Sequence, residues 1–357
     1  MPDMEPAREI DIVRYLTEPV ERGRSPGLVA AVTDAQGVRA IAADGVRKQG
    51  SSKLITVDDL VHIGSNTKAM TSTMLATLVE DGTFPHGWAT TLADVFPALL
   101  EDIHPGYHSV DLYELVRMTG GIPRDASDWG AYWDAPDIIE RRYAILRDNL
   151  TRPPAGPSGE FLYSNLSYMI AGAMAERLTG ESWETLMAER LFAPLGMTTA
   201  GFGPPGTPGE ADQPWGHARG DSGEWTPLQF DNPEALGPAG RVHLSVEDWA
   251  KFIALWFTGE APAVLVRSSL DKLTAPEADD YAAGWFVLQR AWAGGTALFH
   301  DGSNTVWSTV LWIAPDRGIA YLAAANAADS LTDDAIFPML DSIIGSLIGE
   351  TEVAGAR

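Results

Sequence analysis

The pattern of apolar and polar positions divides the chain into a strand-rich start, a helical middle and a strand-rich end. Residues 7–22 are mixed in character and read as a helix that ends at Gly23. LVAAVTD (28–34) and VRAIAAD (38–44) are short apolar runs separated by Ala35-Gln36-Gly37, the pattern of a β-hairpin. The segment VHIGS then leads into NTKAMTSTMLATLVEDG. There Met70, Met74, Leu75, Leu78 and Val79 recur at helical spacing, and Asp81-Gly82 supplies a stop. From 83 to about 240 helical pieces alternate with Gly/Pro loops; DLYELVRM, APDIIERRYAILRDNL, SNLSYMIAGAMAERL and SWETLMAERLFAPL are the predicted helices. Residues 201–225, GFGPPGTPGEADQPWGHARGDSGEW, form a long loop of the kind that is often functional. Ser245 opens a further helix, with Asp248 three residues on as its cap partner. Strand character returns in GWFVLQR (284–290), TALFH (296–300), VWSTVLWIA (306–314) and GIAYLAAAN (318–326), with a turn at 315–318. A final helix covers 331–349.

This order predicts an α+β fold. The terminal strands complete one antiparallel sheet with the N-terminal pair, helices flank it, and an all-helical domain is inserted beside it. The expected division is 1–82 with 241–357 for the sheet domain and 83–240 for the insertion, with the site in the cleft between them.

Composition narrows the chemistry. The 357 residues are 45% hydrophobic and 21% charged, which is ordinary globular usage with enough apolar surface for a sizeable core. The absence of cysteine excludes disulfides, thiolate catalysis and cysteine metal sites. A formal net charge of -24 repels nucleic acid and anionic membranes, so neither is an expected partner. No run approaches the ~20 apolar residues of a membrane span. The start MPDMEPAREIDIVRYL has no basic n-region and no apolar h-region, which points to the cytoplasm if that start is native, and leaves the periplasm or secretion open if it is not. Nothing in the sequence sets an oligomeric state.

Several catalytic patterns fail on context. Gly23-Arg24-Ser25-Pro26-Gly27 matches a nucleophile elbow, but an elbow needs a strand before it and a helix after it, and here the order is reversed. Gly220-Asp221-Ser222-Gly223 resembles a trypsin-like serine segment, yet it lies in a polar loop of a helical region. Gly201-Phe202-Gly203-Pro204-Pro205-Gly206 has two prolines and no following helix, so it cannot cradle a phosphate. His104 and His108 are separated by Pro105-Gly106, which breaks any helical metal face; no metal or cofactor is expected.

One constellation survives. Ser65-Asn66-Thr67-Lys68 is an S-x-x-K at the start of an amphipathic helix, where positions i and i+3 share a face. The helix macrodipole disfavours a cation in the first turn. If that face is buried, both effects favour a neutral lysine able to accept the serine proton. The bland alternatives are a solvated helix lysine and an N-cap serine. Ser269-Leu270-Asp271-Lys272 has the same spacing but sits between polar segments and reads as surface. Tyr163-Ser164-Asn165 is the single Y-x-N of the chain; taken alone, a buried aromatic followed by a helix cap explains it better. His300-Asp301-Gly302 ends the strand TALFH, beside a glycine that lets a ligand approach the backbone.

Taken together, these motifs resemble the serine hydrolases that comprise class C β-lactamases, D-alanyl-D-alanine carboxypeptidases, D-aminopeptidases and family VIII carboxylesterases. HIGSNTKAMT, ELVRMTGGIP, GEFLYSNLSYMIAGAMAERLTG, FAPLGM, PAGRVHLSVEDWAKF and FHDGSN look like that family's segments in that family's order, and cover most of 25–326. The resemblance implies a β-lactamase/transpeptidase-like fold with Ser65 as nucleophile and Lys68 and Tyr163 as proton-transfer partners. It also implies that Asn165 holds the lysine or a substrate amide, and that the N–H groups of Ser65 and Ser303 form the oxyanion hole. The K-T-G element of β-lactamases is missing, and His300 stands where its lysine would be, followed by Gly302. That departure favours an ester or amide substrate over a β-lactam, because histidine is mostly neutral at pH 7. The expected substrate is a small-molecule carboxylic ester, with a D-amino-acid peptide or amide as the alternative and acyl transfer as a third fate of the same acyl-enzyme. The non-enzymatic alternative is a penicillin-type sensor that acylates and stalls. Trp129, Tyr132, Trp133, Trp215 and Trp225 lie in segments that can rim the cleft, with structural packing as the competing explanation.

Overall fold

The computed structural model describes residues 11–257, 264–276 and 280–354. Its framework is helix α1 (Arg14–Glu21), strands β1 (Gly27–Asp34) and β2 (Gly37–Gly45), helices α2 (Thr67–Glu80), α3 (Ile138–Asn149) and α4 (Asn165–Thr179), strands β3 (Phe286–Arg290), β4 (Gly295–Ser303), β5 (Ser308–Ala314) and β6 (Ile319–Ala325), and helix α5 (Ser330–Ala354). Residues 7–10 of the expected first helix lie outside the described residues.

Among the described residues the six strands form one antiparallel sheet in the order β2-β1-β6-β5-β4-β3. The two ends of the chain meet at its centre, where Leu28 pairs with Ala325 and Asp34 with Ile319. Both faces of β1 are covered, so all eight of its residues are buried and its sequence is an apolar run rather than an alternation. Leu28, Ala30 and Val32 face α1 and α5 through Leu16, Ile336, Leu340 and Ile343. Val29 and Ala31 face the other way, into the large core that holds Met70, Met74 and Leu78 of α2. The single antiparallel sheet expected from the strand order is observed, in the β-lactamase/transpeptidase-like arrangement that the resemblance implies.

Two details differ from the sequence reading. The long loop 201–225 is not structureless: Gly216–Arg219 pairs with Trp225–Leu228 as a hairpin, because Gly220–Gly223 supplies its turn. Gly201–Phe202 also joins Val61–His62 and Val242–Leu244 in a small three-stranded sheet that ties the approach to Ser65 to one segment within the helical region and one just after it. SWETLMAERLFAPL is helical but widens into a π-turn at Ala188–Phe192. Among the described residues no helix is long and apolar enough to cross a membrane.

The sheet meets the start of α2 through two glycines. Gly64 has φ +51°, and a Cβ there would lie 2.4 Å from the backbone N of Ser303. A Cβ on Gly302 would lie 2.2 Å from the carbonyl oxygen of Ile63. That oxygen is already held by Thr309 Oγ1 at 3.0 Å and Asn66 Nδ2 at 3.2 Å, so it cannot yield cheaply. Main chain therefore packs on main chain at the junction. Gly302→Ala is expected to destabilise the protein by roughly 1–3 kcal/mol, the usual range for an overpacked site. It should also cut turnover of the expected substrate in the fraction that remains folded. Thermal denaturation followed by rate measurement below the melting range checks both; an alanine variant with wild-type stability and rate would show that the contact is slack.

Candidate active site

Ser65 lies in the single 3₁₀ turn Gly64–Asn66 that precedes α2, and Lys68 is in the first turn of the helix. The serine hydroxyl does not cap the helix. The turn is instead pinned by Asn66, whose Nδ2 donates to Ile63 O at 3.2 Å and to Thr309 Oγ1 at 3.0 Å. Ser65 Oγ is thereby left 3.0 Å from Lys68 Nζ and accepts the hydroxyl of Tyr163 at 2.9 Å. In the Y-x-N element the cap is Ser164, which accepts Ser167 N–H at 2.9 Å. Asn165 is free of that duty and reaches the lysine.

Lys68 is wholly buried. Its Nζ has three polar neighbours: Ser65 Oγ, Asn165 Oδ1 at 2.8 Å and the main-chain carbonyl of Ala239 at 2.8 Å. Asn165 Nδ2 donates to Asp125 Oδ1 at 2.8 Å, which fixes the amide with its oxygen toward the lysine. Burial drives the lysine pKa from its ordinary 10.5 down to about 7, opposed by the more distant charges of Asp125 and Asp301. A neutral amine has two N–H bonds and one lone pair. The two carbonyl oxygens take the N–H bonds, and the lone pair is left for the serine proton. Burial moves Tyr163 the other way, up to about 12, with the Ser65 hydrogen bond opposing, so the phenol keeps its proton as a donor. The arrangement can remove a proton from Ser65 at Lys68 and pass one through Tyr163.

The cleft above Ser65 has a volume of about 780 Å³. Arg124, Tyr163 and Asn165 line one side; Phe286, Asp301, Gly302, Ser303, Ser308, Asp333 and Phe337 line the other. The main-chain N of Ser303 lies against Gly64, the residue before Ser65.

His300 is where the structure corrects the sequence reading. β4 alternates, so His300 and Gly302 are turned inward while Asp301 and Ser303 face the cleft. The His300 ring is 1% exposed, lies beside Phe286 and Tyr281, and does not line the cleft. Its Nδ1 meets the carbonyl of Asp301. Burial, with the Lys68 charge adding to it, lowers its pKa to about 3. It is therefore neutral at any pH used for assay and cannot serve as a cation for a substrate. Asp301, its neighbour in the same triplet, is the side chain the cleft presents. The alternation of β4 was the available signal.

The five rim aromatics do not line the cleft. Trp215 donates to Glu210 O at 2.8 Å and Trp225 to Gly23 O at 3.0 Å, so packing explains both. Phe286 and Phe337 provide the apolar wall instead. The chance motifs are also accounted for. Ser25 is buried with its hydroxyl on Gly27 O at 2.8 Å, and Ser269 bonds Glu80 Oε1 at 2.5 Å while Lys272 covers the Tyr113 ring. Among the described residues no group of His, Asp and Glu side chains is arranged to hold a metal.

Comparison with known proteins gives the family and the fold. The family model described as beta-lactamase matches residues 12–341. Penicillin-binding protein 4 of Amycolatopsis lactamdurans is 26% identical over 85% of this chain and 82% of its own length. The unguisins hydrolase of Aspergillus campestris is 25% identical over 90% of this chain, which spans 62% of that longer protein. The D-amino acid amidase of Ochrobactrum anthropi shares the fold with a TM-score of 0.73 at 20% identity, over 96% of this chain and 99% of that one.

The lysine must be neutral to act as a base. Rates should therefore be full above its pKa and fall as pH drops through it, by about tenfold per unit. For p-nitrophenyl butyrate, kcat/KM is expected to show one acid limb centred near 7, the value for Lys68. His300→Gln should leave that limb in place. A limb near 6.5 that vanishes in His300→Gln would refute this assignment. Lys68→Ala and Tyr163→Phe should each lower kcat by about 10²–10⁴, and the double variant should be little worse than the poorer single one. Fully multiplicative losses would show two independent groups.

Proposed function

The chain belongs to the beta-lactamase family of serine hydrolases, and from that premise we propose that it is a carboxylesterase working through an acyl-enzyme on Ser65. The observation that carries the reading is the three-point environment of Lys68, with two carbonyl oxygens at 2.8 Å and the serine hydroxyl at 3.0 Å. In the proposed reaction Ser65 Oγ bonds to the substrate carbonyl carbon as its proton moves to Lys68 Nζ. The carbonyl π pair moves onto oxygen, which the N–H groups of Ser65 and Ser303 hold. The bond to the leaving oxygen then breaks, and that oxygen is protonated through Tyr163. Water attacks the acyl-enzyme by the reverse relay and frees the acid and Ser65. Asn165 keeps the lysine oriented, and Gly302 lets the β4 main chain reach the site. The same reading takes residues 1–82 with 241–357 as the sheet domain and 83–240 as the helical insertion, with the reaction in the cleft between them.

Substrate class follows from charge. A substrate carboxylate beside β4 would meet Asp301 and Asp333, while the cation that lines the cleft, Arg124, lies outside that strand. A missing charge–carboxylate contact costs roughly 1.5–3 kcal/mol, some ten- to hundredfold in rate. A neutral ester loses nothing comparable. The same two carboxylates favour a second reading, a D-amino-acid amide or peptide with a free amine; the amidase of similar fold bears a name of that kind.

A panel on one preparation separates these readings. We expect kcat/KM for p-nitrophenyl butyrate to exceed that for nitrocefin by at least the ten- to hundredfold above. A D-amino-acid anilide turned over faster than the ester would establish the second reading instead. Nitrocefin as the best substrate would refute both. Ser65→Ala should abolish turnover and labelling by a phosphonate; labelling that persists there would place the nucleophile elsewhere. A burst with no steady release would mark a sensor.

A further inference from the structure

Behind the nucleophile turn lies a buried polar network that the proposed reaction does not use. His62, in the short strand before Gly64, is 0% exposed. Its Nδ1 accepts the N–H of Gly64 at 3.2 Å, and its Nε2 lies 2.8 Å from Asp231 Oδ1. Since Nδ1 accepts, Nε2 carries the proton, and it faces the carboxylate at ion-pair distance. Asp231 also accepts Asn304 Nδ2 at 3.2 Å, Arg241 Nε at 3.0 Å and the Asn232 N–H at 2.7 Å. Asn304 is itself buried, and its Oδ1 accepts Val306 N–H at 3.3 Å, closing the bend after Ser303.

One carboxylate, distant in sequence from both segments, thus holds the residue before Ser65 and the residue after Ser303. Their chain neighbours Ser65 and Ser303 carry the N–H groups assigned to the oxyanion hole. Each arm acts on the main chain: His62 fixes the Gly64 peptide, and Asn304 fixes the end of β4. Neither side chain is among those that line the cleft. We propose that Asp231 and His62 are positioning residues for the oxyanion hole, setting the spacing of its two donors. The proposal rests on the acyl-enzyme reading above. An oxyanion donor stabilises the transition state only when it sits within about 0.5 Å of its place, so a loosened tether costs chemistry rather than substrate binding.

His62→Gln keeps reach toward Asp231 but removes the acceptor for Gly64. His62→Asn restores an acceptor where Nδ1 sits. Asp231→Asn places a donor among donors. Kinetics with p-nitrophenyl butyrate, affinity for a boronic acid analogue, and the infrared carbonyl stretch of the acyl-enzyme are measured below each variant's melting range. His62→Gln and Asp231→Asn should lower kcat by about 10²–10³, the usual effect of losing one oxyanion donor, with KM changed less than about threefold. Boronate affinity should fall in parallel, and the acyl carbonyl stretch should rise. His62→Asn should recover at least about tenfold of the His62→Gln loss. Should His62→Gln or Asp231→Asn fail to fold, Asn304→Ala tests the other arm with the same stretch. Losses that track the folded fraction with an unmoved stretch, or a rise in KM at constant kcat, overturn the proposal. A wild-type protein that forms no acyl-enzyme on Ser65 by intact mass refutes the proposed function itself.

Discussion

The site depends on a buried amine that is denied a counter-ion. Among the described residues no carboxylate pairs with Lys68; its partners are neutral oxygens. Taking a lysine from its ordinary pKa of 10.5 to about 7 corresponds to a penalty on the charged form on the order of 5 kcal/mol. A carboxylate in place of either carbonyl would return much of that and leave an ammonium with no lone pair for Ser65. The pocket around Lys68 must therefore be polar enough to hold two N–H bonds and not polar enough to hold a charge.

The carbonyl of Ala239 is held in place by another buried cation treated in the opposite way. Arg142, also fully buried, lies between Glu176 and Glu184, and these carboxylates outweigh its desolvation and raise its pKa. Its remaining N–H groups donate to Ala235 O at 3.1 Å and Glu234 O at 3.0 Å, at the start of the turn that ends in Ala239. Thr71 of α2 fixes the next carbonyl, Pro238 O, at 2.8 Å. The paired arginine is rigid and permanently charged; the unpaired lysine is titratable. Each behaviour follows from whether the acceptors supplied are ions or dipoles.

Ser65, Lys68 and Tyr163 were legible because helical spacing places i and i+3 together and because the Y-x-N sits at a helix start. The six-stranded sheet was legible from apolar runs and turn residues. The Ala239 contact was not, since a carbonyl is the same on every residue and this one is 171 positions from Lys68. The tether through Asp231 was hidden for the same reason: it joins four short segments that only the tertiary fold brings together. His300 was misplaced for a different reason. Both faces of β4 carry polar residues near its end, so composition cannot tell which one meets the cleft.

Register resolves that ambiguity and sets the charge of the site. His300 pairs with Leu311 and Gly302 with Thr309, and Gly302 must be the residue against Ile63 because only glycine fits there. A shift by one residue would turn Asp301 inward and His300 outward, but it would also bring a side chain against the Ile63 carbonyl. The glycine that lets the β4 main chain approach Ile63 therefore also fixes a carboxylate on the cleft side of the strand. A cation introduced at position 300 would enter the buried face near Lys68 and depress the lysine further, rather than meet a substrate. On β4, position 301 is the one from which the charge presented to the cleft can be changed. The carboxylate that β4 presents to the cleft is thus a consequence of where the backbone must come closest, not of the histidine that replaces a lysine in the triplet.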